Sequence, residues 1–220
     1  CFRRRTIIIT PLLRKVLLCL RYHRCAVNHK DDPVSLRVLG CSGGLSGENQ
    51  QGSTCIQISE STLIDAGTGL ATLSLSEMHR IRHIFLTHAL MDHIAALPTF
   101  LSNQFEQPNL PVKVYGLAET LQRLQRNIFN DEIWPDFTKA IGGATAVVEL
   151  VELEAGERIE HEGMLIEPFA VQHKIPTVGY SVRSEHLHYV FCADCTESAQ
   201  LVTDLNRLAP IDVLMIECAF

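Results

Sequence analysis

The sequence predicts an α/β protein built from packed layers, with sheets covered by helices. Three observations carry that reading. The 220 residues are 46% hydrophobic and 20% charged, which suffices to bury a core in one domain without a disulfide or metal staple. From Ser35 onward, short β-branched runs alternate with amphipathic stretches. Strands come first and helices are interspersed later, with no internal repeat or low-complexity segment.

Residues 1–34 read as a basic extension that is poorly ordered, and residues 35–220 as the domain. The first 30 residues hold eight basic side chains and no acid. Their two apolar runs are shorter than the ~18 residues of a membrane span. A targeting peptide would need a cleavage signal of the A-x-A kind, and none stands out. Within the domain, SLRVLG, TCIQIS and TLID (35–40, 54–59, 62–65) read as strands, LATLSLSEMHR (70–80) as a helix, and IRHIFLTH (81–88) as a strand. LAETLQRLQRNIF (117–129) has helical spacing. VVELVEL, MLIEPFAVQ, VGYSVRS and HYVFCAD alternate as strands do, SAQLVTDLNRL (198–208) is helical, and IDVLMIECAF closes the chain as a strand.

Charge and cysteine usage narrow the function. Beyond residue 30 the chain carries 11 basic and 25 acidic side chains, a net −14. Such a body repels a long polyanion, so extended nucleic acid is disfavoured as a partner unless a local positive feature overrides it. A bound metal ion is one such feature. The eight cysteines are scattered along a chain too long for a small disulfide scaffold, and read as reduced thiols of a cytoplasmic protein. No membrane partner is expected, and a homodimer is compatible with the sequence.

Several motifs fail on context. Gly40-Cys41-Ser42-Gly43-Gly44 fits G-x-S-x-G, but the turn-rich LSGENQQGS follows where a nucleophile elbow would enter a helix. It reads instead as a glycine turn that allows close backbone approach. Asp65-Ala66-Gly67-Thr68-Gly69 lacks the third glycine of a dinucleotide fingerprint. Cys192-Ala193-Asp194-Cys195 is a single C-x-x-C without a thioredoxin-like start or two further zinc ligands, and reads as two ordinary thiols flanking a functional Asp194.

FLTHALMDHIAALP (85–98) is the stronger signal. If the apolar run is a strand and HIAAL begins a helix, His88 ends the strand while Asp92 and His93 enter the helix, so one loop brings three ligands together. Asp92 is also a candidate helix cap. Imidazole nitrogen and carboxylate oxygen are donors that a zinc-class ion accepts while keeping a position open for water.

THALMDH resembles the T-H-x-H-x-D-H motif of the metallo-β-lactamase superfamily. VQHKIPTVGY resembles the segment with that superfamily's third histidine, here His173, and FCADC the segment with its metal-bridging aspartate, here Asp194. RVLGCSGG, LIDAGTG, DHIAALP, IFNDEIWPDF, HKIPTVGY and IECAF together resemble bacterial proteins related to class II 3',5'-cyclic-nucleotide phosphodiesterases, from about Leu36 to the last residue. The resemblance implies a four-layer αββα sandwich and one or two ions, usually Zn2+. One ion would be held by His88 and His173, the other by Asp92 and His93, with Asp194 between them and Asp92 in the catalytic set. It implies a small phosphodiester substrate, attacked at phosphorus by a bridging hydroxide. An RNA-processing nuclease of the same superfamily ranks lower because of the acidic body.

Two departures from the resemblance mark an impaired relative as the alternative. Leu90, with no donor atom, stands where the motif has a ligand histidine. A further ligand histidine is expected beyond IECAF, so the domain reads as truncated at Phe220. Ala193 and Cys195 also replace a usual glycine and threonine. Trp134 reads as a loop anchor, His161, His186 and His188 as surface residues, and His79 and His83 carry no ligand spacing.

Overall fold

The computed structural model describes residues 33–43, 52–105, 110–140 and 145–216, together with the backbone of 13–18, 26–28 and 217. The strands are β1 (Leu13–Leu18), β2 (Ala26–Asn28), β3 (Ser35–Ser42), β4 (Gly52–Ser53), β5 (Cys55–Gln57), β6 (Thr62–Ile64), β7 (His83–Phe85), β8 (Val112–Gly116), β9 (Val148–Glu152), β10 (Ile159–His161), β11 (Met164–Val171), β12 (Thr177–Arg183), β13 (His188–Asp194) and β14 (Ile211–Glu217). The helices are α1 (Leu75–Met78), α2 (Met91–Ile94), α3 (Leu97–Ser102), α4 (Ala118–Asn127) and α5 (Ala199–Leu208).

The strands form two sheets. One runs β2-β3-β5-β6-β7-β8-β9, with β4 also paired to β3; the other runs β1-β14-β13-β12-β11-β10. In the first, β6, β7, β8 and β9 are parallel, so β7 lies in the sheet interior and delivers its end to one edge. In the second, β13 pairs antiparallel to β12 and parallel to β14.

Alternating side chains explain the layers, because successive strand residues face opposite sides of a sheet. Leu63 and Ile84 join the core under α3 and α4, with Phe100, Leu101, Leu121 and Leu124. Their neighbours Ile64 and Phe85 face the other way and meet Val178, Tyr180, Tyr189 and Phe191 between the sheets. Val190, Cys192 and Leu214 face a third core, closed by Leu201, Leu205 and Leu208 of α5. Helix, sheet, sheet and helix are thus stacked as the αββα order requires. Each such fully buried aliphatic or aromatic side chain stabilises by ~1.5–3 kcal/mol, so three contiguous cores carry the fold.

Several elements differ from the sequence reading. The helix expected over 70–80 is a 3-10 turn, Thr68–Thr72, followed by the short α1, because Ser74 starts a new helix through a capping box with Glu77. The helix expected after Asp92 is two helices. Pro98 has no N–H for Ile94 and its ring crowds that carbonyl, so α2 ends there and α3 begins at Leu97. Strands β4, β8 and β10 add to the elements read from periodicity. Of residues 1–34, the backbone of β1 pairs with β14 and that of β2 with β3; the remainder, apart from Pro33 and Val34, lies outside the described residues. Residues 218–220, where the chain was read as truncated, also lie outside them.

Candidate metal centre

The site forms at the edge of the sandwich where β6, β7, β11 and β13 end. Beyond β7, the Leu86 amide donates to the Tyr115 carbonyl and the Leu86 carbonyl accepts from the Tyr180 hydroxyl. The Val178 amide donates to the Thr87 carbonyl at 3.1 Å, tying this loop to the opposite sheet. His88, fully buried, therefore stands on backbone held from both sides.

Asp92 and His93 lie in α2, whose N-cap is Leu90 and not Asp92; no side chain caps this helix. The Ala66 amide donates to the His93 carbonyl, and the Ala96 amide to the Ala66 carbonyl, so the 65–67 turn clasps α2. Gly67 fits because any Cβ there would strike the Asp92 carbonyl and approach the Thr54 carbonyl at 2.6 Å. At Gly40 a Cβ would come within 2.5 Å of the Gly52 carbonyl oxygen, the close backbone approach expected there, but residues 40–42 continue strand β3 and do not form a turn.

His173 lies between β11 and β12, and Asp194 ends β13. Just before Asp194 the β13–β14 register shifts, and Ala193 has φ 52°, a left-handed backbone that L residues adopt at a cost of ~1–2 kcal/mol. A bulge of this kind re-aims the next side chain, here the Asp194 carboxylate, into the site.

The five residues proposed from the sequence meet. Ligand atoms of His88, His173 and Asp194 lie within 4.8 Å of one another, and so do those of Asp92, His93 and Asp194. His173 Nε2 is 3.8 Å and His93 Nε2 3.4 Å from Asp194 oxygens, and His93 Nε2 is 3.8 Å from Asp92. The Nε2 atoms of His88, His93 and His173 are all buried and make no hydrogen bond. Three such nitrogens, left so, would each cost ~1–3 kcal/mol. Their convergence on two carboxylates fits a zinc-class ion, whose ligands are these atom types.

The other nitrogens are held from behind. Asp65, fully buried, accepts from the Thr87 amide (2.8 Å), the Thr87 hydroxyl (2.9 Å) and His93 Nδ1 (2.7 Å). With its hydrogen directed to Asp65, the Thr87 hydroxyl oxygen accepts from His88 Nδ1 at 2.9 Å. Both histidines therefore turn Nε2 toward the site. Asp65 itself has φ 59°, a left-handed turn at the end of β6 that bends its carboxylate under the histidines.

Charge is polarised accordingly. Burial opposes a cation at His93, but the Asp65 and Asp194 carboxylates outweigh it and raise its pKa to about 11. Burial, then the charge of His93, holds His88 down at about 3. Burial raises the carboxyl of Asp65 against the pull of His93 and Thr87. The carboxylates call for a positive charge here, and a proton and a metal compete for it.

Asp65 and Thr87, which hold two of the candidate ligands by hydrogen bonds, were not singled out from the sequence. The available signal was an acid after the apolar TLI and a hydroxyl before His88; only contacts across the sheet gave them a role. His188, read as a surface residue, is buried, with Nε2 2.8 Å from Ser181 and Nδ1 2.7 Å from the Pro210 carbonyl. Trp134 packs on the helix-side core, as an anchor would. Cys192 and Cys195 flank Asp194 in sequence, and among the described residues no disulfide forms.

A family model described as the beta-lactamase superfamily domain matches residues 61–220. The chain is 41% identical over 59 residues to a 3',5'-cyclic-nucleotide phosphodiesterase 1 of Saccharomyces cerevisiae, covering 26% of this chain and 16% of that one. It is 27% identical over 169 residues to the chloroplastic tRNase Z TRZ2 of Arabidopsis thaliana, covering 74% and 42%. The chain thus spans less than half the length of either relative. Among solved structures, the metallo-β-lactamase fold protein YhfI from Bacillus subtilis superposes with a TM-score of 0.67 at 16% identity, covering 86% of this chain and 73% of that one.

Proposed function

The chain belongs to the beta-lactamase superfamily, with the metallo-β-lactamase fold, and on that premise we propose that it is a metal-dependent hydrolase of phosphodiesters whose substrate is a 3',5'-cyclic nucleotide. The observation that carries the reading is the pair of three-ligand sets sharing Asp194. His88, His173 and Asp194 would hold one Zn2+, and Asp92, His93 and Asp194 the other. A divalent ion bound there supplies Lewis-acid charge to the phosphoryl group and brings the pKa of water down towards ~7.

The chain's own residues do the rest. Asp65 and Thr87 orient the imidazoles before substrate arrives, so no reorganisation is needed during the reaction. Asp92 is the more exposed of the two site carboxylates, 27% against 10%, and is the residue we assign to take a proton from the attacking solvent molecule. Leu90 leaves the first set at three protein ligands, a number found in open catalytic sites. The cyclic nucleotide is favoured because the acidic body, net −14 beyond residue 30, suits a small substrate better than a long polyanion. The longer match to a tRNase Z supports a second reading, cleavage of an RNA phosphodiester.

Purified, zinc-loaded protein assayed against cyclic AMP, cyclic GMP and an unprocessed tRNA separates the two. The first reading expects cyclic-nucleotide hydrolysis that falls, together with metal content, in His173→Ala and Asp194→Ala. Unchanged metal in both variants rejects it, and cleavage of RNA alone selects the second reading.

A further inference from the structure

A second group of ligand-bearing side chains lies at the other end of β7. His83 begins that strand and His88 follows its far end, a separation of roughly 15 Å along an extended chain. Beside His83 lie His161, the last residue of β10, and Glu162 of the β10–β11 turn. One nitrogen of each imidazole and one Glu162 oxygen are all within 4.8 Å of one another. His161 Nε2 and Glu162 Oε2 are 3.5 Å apart. Two ligands of a tetrahedral zinc with bonds of ~2.0–2.1 Å sit at about that separation.

We propose that His83, His161 and Glu162 bind one zinc-class ion that cross-links the two sheets at the end opposite the first site. His83 belongs to the first sheet, and His161 and Glu162 to the edge of the second. An ion held by all three closes a link across the inter-sheet core that no covalent bond makes.

The surroundings have the character of a ligand shell. The Glu162 carboxylate accepts from the hydroxyls of Ser59 (2.9 Å), Ser61 and Thr62 (3.2 Å), all in or beside the β5–β6 turn. His83 Nδ1 lies 3.2 Å from the Tyr115 hydroxyl, so Nε2 is the nitrogen presented to a metal. The two imidazoles meet edge to face with centroids 4.2 Å apart. Held histidines and carboxylates of this kind tune metal affinity, and losing one outer partner typically costs 10–100-fold.

The backbone shows the same bias. Glu162 and Gly163 both have positive φ, 49° and 76°, at the tip of the hairpin. Asparagine, aspartate or glycine is the usual first residue of such a turn, and glutamate is a poor one. The longer side chain is what reaches back over the β5–β6 turn.

With its one hydrogen directed to Glu162, the Thr62 hydroxyl accepts from His161 Nε2 at 2.9 Å, and this nitrogen would give up that proton on binding zinc. The Glu162 side chain is 39% exposed and that of His161 10%, so an ion can enter and water can complete the fourth position.

The test uses the full chain, stripped with chelator and dialysed against zinc, with bound metal counted by mass spectrometry. Wild-type protein should hold one more equivalent than Glu162→Gln, and an Asp194→Ala/His173→Ala double variant should keep that equivalent. Tyr115→Phe should bind it about 10-fold more weakly. Zinc at about 100 times its Kd should raise the unfolding temperature of the double variant by about 5 °C and leave that of Glu162→Gln in the same background unchanged. Equal zinc in wild type and Glu162→Gln, both with native circular dichroism, overturns the proposal. So does a natively folded double variant that binds none. Because the first site is silenced in one arm, failure there and failure here are read separately.

Discussion

His93 Nδ1 donates to Asp65 Oδ2 at 2.7 Å, between two side chains with no exposure to solvent. Asp65 thereby fixes which nitrogen of His93 faces Asp194, and through Thr87 it does the same for His88. One buried carboxylate behind the site orients ligands of both proposed ions.

Replacing Asp65 tests that role directly. Asp65→Asn keeps the shape but removes the charge behind His93, and zinc affinity should fall by about 10–100-fold. Chelator competition measures it, and native circular dichroism would show that the loss is not unfolding. Affinity within twofold of wild type would remove Asp65 from the site.

Leu90 precedes α2 with an extended backbone, between His88 and Asp92 in sequence. Leu90→His returns a donor to the set of His88, His173 and Asp194, completing four protein ligands with Asp194 shared. Zinc should be held about 10-fold more tightly, an effect of the size single site partners usually carry. Hydrolysis of cyclic AMP should rise if the natural chain is impaired by the missing donor. Tighter zinc without faster turnover would show that three ligands already suffice.

Gly67 has ordinary extended dihedrals, φ −68° and ψ −177°, so only space forbids a side chain there. Gly67→Ala drives a methyl against the carbonyls of Asp92 and Thr54. Overpacking of this kind costs ~1–3 kcal/mol, and the displaced α2 carries two ligands. Thermal unfolding should move down by several degrees, with weaker zinc binding in the same variant. A fall in stability with unaltered zinc affinity would mean that α2 tolerates the shift.

Hydrogen bonds from the Ser74 amide and hydroxyl, then Arg37, hold the Glu77 carboxyl down at about 2 from its ordinary 4.5. Its folded value is depressed, so the stabilisation is complete above the unfolded value and is lost as pH falls from about 4.5 through about 2. The group is partly exposed, and solvent screening keeps the effect near that of an ordinary cap. Ser74→Ala should cost ~1 kcal/mol at pH 7 and less at pH 2, where the Glu77 carboxyl is partly protonated, read by urea unfolding at both. A cost independent of pH would assign the effect to the bond from the Glu77 amide to the Ser74 hydroxyl oxygen.

The alternation of apolar residues by itself determined that the chain folds as layered sheets under helices, because burial on one or two faces is written locally in each strand. The local spacing of His88, Asp92 and His93 likewise pointed to one short stretch as a source of candidate metal ligands, and the resemblance added His173 and Asp194. Tertiary structure decided what those residues meet. Asp65 is 28 positions from His93, and His83 is 78 from His161. The left-handed turn at Ala193 that aims the Asp194 carboxylate goes with the register shift of the β13–β14 pairing and not with the residue type. Hydrogen bonds between side chains on separate strands depend on sheet order and register, and neither is a property of any short stretch of sequence.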